Sequence, residues 1–181
     1  MAEEQNQDPV MTAENNASAQ FQIQKLYAKD VSFEVPNAPQ VFQETGQADI
    51  KLSLAQRVEE LGDNAHEVVL TVTVTATVGE KTAYLAEVAQ AGIFLLAGFN
   101  EQSAHAVMNT MCPNTLFPYA RQLISTLVAE GGFPPLVLQP VNFEQMYAQR
   151  MQEMMEEREQ GVADADQVDE EVVEAEFQTN H

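Results

Sequence analysis

Hydrophobic and polar residues alternate along the first half of the chain and recur at helical spacing along the second. In "VVLTVTVTATV", from Val68 to Val78, Leu70, Val72, Val74, Ala76 and Val78 share one parity, and Thr71, Thr73, Thr75 and Thr77 the other. That period of two, carried by β-branched residues, predicts a strand from Leu70 to Val78. Gly79-Glu80-Lys81 predicts a turn, and Thr82 to Phe94 the returning strand of a hairpin. Upstream, "FQIQKLYAKDVSFEVP" places Phe21, Ile23, Tyr27, Val31 and Phe33 on one face and Gln22, Gln24, Asp30, Ser32 and Glu34 on the other. Pro36 ends that strand. "ADIKLSLAQRVEE" offers Ile50, Leu52 and Leu54 at period two, a short strand, reached through the loop-like "VPNAPQVFQETGQ". Hairpin-type links between four strands predict an antiparallel sheet.

The period then changes. "NEQSAHAVMNTM" sets Ala104, Val107, Met108 and Met111 at helical spacing, and "FPYARQLISTLVAEGG" puts Leu123, Ile124, Leu127 and Val128 on one stripe. Pro118 suits a first helical turn, and Gly131 or Gly132 a left-handed stop. In "NFEQMYAQRMQEMMEE", Phe143, Met146, Tyr147, Met151, Met154 and Met155 form the strongest stripe, with Asn142 as N-cap and Gln145 three residues on. Strands followed by helices predict an α+β fold, a four-stranded antiparallel sheet packed on C-terminal helices.

Charge narrows the function. The chain of 181 residues carries 8 Lys+Arg against 28 Asp+Glu, a formal net charge of −20. So few cations cannot build a basic stripe, which argues against nucleic acid and against anionic membranes, and favours basic partners. Four acids and no base fall in residues 1–20, and eleven acids with one Arg in residues 152–181. These shifts predict a disordered acidic and polar arm over 1–20, a globular domain over 21–155 and a disordered acidic tail over 156–181. A single Cys112 leaves no intramolecular disulfide framework, so a reducing cytoplasm is the expected home. The polar N-terminus is not a signal peptide, and no apolar run reaches membrane-spanning length.

Catalytic constellations are scarce. His105 and Cys112 lie seven residues apart and could pair as imidazole and thiolate, but a nucleophile needs a base and an orienting third group, and a buried structural Cys competes with that reading. His66, His105 and His181 lack metal-ligand spacing, and Gly131-Gly132 follows a helix instead of opening one. Neither an enzyme, a metal site nor a cofactor is expected. The methionine stripe has two readings, core packing or an adaptable surface for varied apolar partners. The strand acids Asp30, Glu34 and Glu87 likewise form either a solvated face or a patch for a basic partner.

Four segments, "FQIQKLYAKDVSFEVPNAPQVF", "VVLTVTVTATVGEKTAYLAEV", "CPNTLFPYAR" and "PVNFEQMY", closely resemble the SecB family of protein-export chaperones, from about Phe21 to Tyr147. The resemblance implies a homotetramer, a dimer of dimers, that holds unfolded precursor proteins in the cytoplasm and delivers them to the translocase motor SecA, without cofactor or hydrolysis. It implies SecA docking at Asp30, Glu34, Leu85 and Glu87, and subunit assembly at Ala86, Val88 and Gln90. It also implies a client groove at Val41, Phe42, Leu52, Leu54, Phe143, Met146 and Tyr147. Relatives can carry Trp where this chain has Gly46, and the last helix runs on into the acidic tail.

Two other functions remain open on the sequence. One is a related chaperone devoted to a single unstable client such as an antitoxin. The other is a non-chaperone adaptor that binds one folded partner through its acidic tail.

Overall fold

The computed structural model describes residues 19–157. Four strands, β1 (Gln20–Glu34), β2 (Asp49–Gly62), β3 (Ala65–Val78) and β4 (Lys81–Ala97), form one antiparallel sheet in the order β1-β4-β3-β2. Helices α1 (Glu101–Asn109), α2 (Met111–Glu130) and α3 (143–157) follow. The fold is α+β, as its pattern predicts. The arm over 1–20 and the tail over 156–181 fall almost wholly outside the described residues.

Short turns join the inner strands. β2 passes into β3 through Asp63 and Asn64, both at positive φ, a region their short polar side chains tolerate. β3 passes into β4 through Gly79 and Glu80, with Val78 opposite Lys81 and Gly79 at φ 61°. β1 and β2 lie at opposite edges, so their connection must cross the sheet. A 3-10 turn over Gln40–Gln43 buries Val41 on the way, and Asn37 Nδ2 donates to the Thr82 carbonyl at 2.8 Å.

The core lies between one sheet face and α2. Val68, Leu70, Val72, Val74 and Ala76 of β3 and Ala86, Val88, Phe94 and Leu96 of β4 are buried there. Cys112, Leu116, Phe117, Ala120, Ile124 and Val128 of α2 meet them at three- and four-residue spacing. α2 lies over β4 and β3 and reaches β1. β2 stands beyond its cover.

Three elements depart from the sequence reading. β2 is 14 residues long, not short, because its charged residues project from an edge strand where solvent takes them. α2 starts at Met111, so Pro118 sits inside the helix, and Pro113 occupies the first turn, where backbone donors have no intrahelical partner. In β1 the register slips between Ile23 and Lys25 and again between Ala28 and Asp30. These two bulges invert the alternation between them, which moves Tyr27 off the Phe21 face and onto that of Asp30 and Glu34.

The predicted caps form as expected. Gln145 N–H donates to Asn142 Oδ1 at 2.9 Å, and Gly132 takes φ 84° after α2.

Candidate functional site

The sheet face turned away from the helices gathers the four residues expected to dock a partner. Asp30 pairs with Ala89, Ser32 with Glu87 and Glu34 with Leu85, so Asp30, Glu34, Leu85 and Glu87 share that face. Asp30 and Glu34 are exposed; Leu85 and Glu87 are half-buried. Thr73 lies opposite Glu87, and its hydroxyl donates to Glu87 Oε2 at 2.8 Å. Thr71 and Thr75 flank it with further hydroxyls. A surface of hydroxyls and carboxylates around Leu85 results.

Farther along the same face, the carboxylate of Glu67 is the centre of a charged cluster that the sequence reading missed. Glu67 is only 6% exposed, yet it stands on the outer face. Tyr27 donates its phenol proton to Oε1, Lys29 Nζ lies 2.5 Å from Oε2, and Arg57 Nη2 lies 3.7 Å from it. The Lys29 hydrogen bond, followed by that of Tyr27, holds the Glu67 carboxyl below its ordinary range. The bond to Glu67, followed by burial, pushes the Tyr27 phenol up to about 12. With Tyr27 assigned to the wrong face by simple alternation, nothing in the sequence marked this cluster.

Ala86, Val88 and Gln90 point the other way and are 0%, 0% and 3% exposed. The resemblance implied a role for them in subunit assembly. Ala86 and Val88 share one core cluster with residues of α2, so within the single chain a change there would act on the surface through packing.

The uncovered inner face of β2 forms one wall of a furrow. Ile50, Leu52, Leu54, Gln56 and Val58 alternate along it, and Leu52 remains 43% exposed. Leu54 and Gln56 face Phe143, Met146, Tyr147 and Arg150 of α3 across a shallow opening, with Ala55, Leu70 and Asn109 completing the lining. Gln56 Nε2 donates to the Met108 carbonyl at 3.0 Å and ties β2 to the end of α1. His105 Nδ1 lies 3.0 Å from the Tyr147 hydroxyl and ties α1 to α3.

The furrow therefore brings together Leu54, Phe143, Met146 and Tyr147 of the expected groove, with Leu52 farther along the same strand face. Val41 and Phe42 are not part of it. The 3-10 turn drives Val41 into the core at 4% exposure. Phe42 instead begins a row of rings, 5.2 Å from Phe133, which is 4.9 Å from Tyr84, which is 5.9 Å from Phe33. Phe42 itself is half open to solvent. Gln56, Asn109 and Arg150 were not foreseen, since isolated polar residues carry no periodic signal.

The methionine stripe is open rather than sealed: Met146, Met154 and Met155 are all exposed. Cys112 is fully buried, which pushes its thiol up to about 12. His105 faces Tyr147, so no imidazole–thiolate pair forms. No described helix is long and apolar enough to cross a membrane.

The fold carries an apolar furrow on one side of a sheet and a carboxylate-bearing face on the other. The family described as "Preprotein translocase subunit SecB" matches residues 14–154. The "Protein-export protein SecB" of Stenotrophomonas maltophilia is 54% identical over 137 residues, 76% of this chain and 80% of that protein. Its namesake from Xanthomonas euvesicatoria is 52% identical over 145 residues, 80% and 85% of the two chains. A solved SecB-like chaperone from Mycobacterium tuberculosis, in complex with an antitoxin peptide, shares the fold with a TM-score of 0.57 at 19% identity, covering 67% of this chain and 91% of its own. The chain belongs to the SecB family.

Proposed function

We propose that this protein is a cytoplasmic export chaperone that holds non-native precursor proteins along the β2–α3 furrow and delivers them to SecA through the outer sheet face. It acts by binding, without cofactor, as a homotetramer arranged as a dimer of dimers. The observation that carries this reading is the placement of two chemically opposite surfaces on the two sides of one sheet. Unfolded segments expose apolar side chains in varied order, and the open methionines accept many shapes. A fully buried Leu- or Phe-sized side chain contributes about 1.5–3 kcal/mol before ordering costs, so several modest contacts hold a client without a sequence code. The outer face offers Asp30, Glu34 and Glu87 to a basic partner while the furrow remains occupied, which allows client and SecA to be bound together.

Mixing the protein with an unfolded precursor and with SecA, and resolving the complexes by mass, tests the proposal. A ternary complex containing four copies of this chain is expected. Binding of SecA only after client release would overturn the division into two faces.

A further inference from the structure

Lys29 and Asp30 are neighbours at the second β1 bulge, and both stand on the outer face. Asp30 lies opposite Ala89, and Lys29 reaches Glu67 across β4, over the small residues Ala89 and Ala91. The bulge lets these sequence neighbours share a face, where the ammonium could compensate the aspartate. Here the ammonium is drawn off towards the centre of the sheet, 2.5 Å from Glu67, while Asp30 has no ion-pair partner among the described residues. Arg57, the other cation on Glu67, stands on the far edge strand with Glu59 3.6 Å away.

We infer that Glu67 is a positioning residue for the partner-docking face: it sequesters Lys29 and so keeps the Asp30 carboxylate unpaired for a basic partner. The inference rests on the docking role proposed for Asp30. The geometry gives Glu67 this role without exposing it, because Tyr27 and Lys29 cover the carboxylate that holds them. Releasing Lys29 would place a cation within reach of Asp30 and cancel the charge that the partner reads. The same carboxylate anchors both residues that bracket Ala28, and therefore the bulge that turns Asp30 outward.

The test compares SecA affinity at low ionic strength for the wild type, Asp30→Asn, Glu67→Gln and Glu67→Gln with Lys29→Met. Glu67→Gln is expected to weaken binding about three- to tenfold, with the loss shrinking at high salt. The added Lys29→Met should restore affinity, because no cation then remains to quench Asp30. Client holding, on the opposite side of the sheet, should not change in either variant. Glu67→Gln binding like wild type, or the double variant remaining as weak as the single one, overturns the inference while leaving the docking reading intact. Asp30→Asn binding like wild type overturns both. A second measurement needs no substitution: in the native protein, Lys29 should acylate more slowly than Lys25 on the same strand, and equal rates would count against its sequestration.

Discussion

Thr73 and Glu87 face each other across β3 and β4, and the threonine hydroxyl donates to the glutamate carboxylate at 2.8 Å. This bond engages one oxygen of the half-buried Glu87 and leaves the other without a side-chain partner among the described residues. Glu87→Lys is expected to lower SecA affinity by at least about tenfold, through lost attraction and new repulsion. Client holding should persist, because Glu87 has no contact with the furrow. Thr73→Val, which keeps the shape but removes the donor, should cost about threefold, the order expected from one loosened side chain. Thr73→Ser should restore the wild-type value. Titration of SecA against each variant, with a parallel client-capture assay, checks the set.

Two of the α3 residues that line the furrow should separate binding from stability. Met146 is 39% exposed, so Met146→Asp should weaken capture of unfolded precursors several-fold while changing folding stability by no more than about 0.5 kcal/mol. Phe143 is 5% exposed and packs against Phe117 at 5.9 Å. Phe143→Ala should destabilise the chain by about 3–5 kcal/mol and damage capture only as a consequence. Denaturant midpoints measured beside client affinity distinguish the two.

Gly131 is required by a close approach. A Cβ on Gly131 would lie 2.3 Å from Cζ of the Phe33 ring, and that ring belongs to the row running to Phe42. Gly131→Ala should therefore cost about 1–3 kcal/mol by overpacking. In Gly131→Ala with Phe33→Leu, the penalty should shrink, since the clashing ring edge is gone. Thermal unfolding of the single and double variants measures the difference.

Cys112 should be silent as a nucleophile. Burial leaves its thiol fully protonated at neutral pH and inaccessible to reagent. Labelling with a thiol reagent at about pH 8 should proceed only as fast as the core opens, and should become rapid in denaturant. Fast labelling of the native protein would show that α2 does not seal the sheet as described.

Much of this architecture was legible because it depends on periodicity. The Leu70–Val78 alternation specified the central strand, and Asn142 with Gln145 marked the start of α3. The helical stripe from Phe143 to Tyr147 identified one wall of the furrow. What escaped depends on irregularity or on tertiary neighbours. Two bulges in β1 reversed the parity of Tyr27, and a strict period of two cannot register an inserted residue. Val41 and Phe42 lie together in a 3-10 turn that buries the first and exposes the second, which a loop-like reading of that stretch does not foresee. That Ala86, Val88 and Gln90 are buried within the chain follows from tertiary packing, which alternation along β4 alone does not give. Arg150 and Asn109 enter the furrow from separate helices, a convergence that linear spacing does not encode.

The Tyr27–Glu67 pair should make stability depend on pH at both extremes, and in opposite senses. The Tyr27 phenol has a folded value of about 12 against an ordinary 10.0. Its contribution is therefore complete below pH 10 and is lost as pH rises through about 12. Glu67 is held below its ordinary 4.5, so its contribution is complete above that value and is lost as pH falls through its lower folded value. Tyr27→Phe should remove the steep alkaline limb of the stability curve while keeping most of the acid one. Glu67→Gln should remove the acid limb and also return the Tyr27 phenol towards 10, because the acceptor that retains its proton has lost its charge. Phenolate absorbance followed against pH, alongside denaturant unfolding at each pH, measures both effects. A Tyr27 that ionises near 10 in the native protein would show that the bond to Glu67 does not hold the phenol proton in solution.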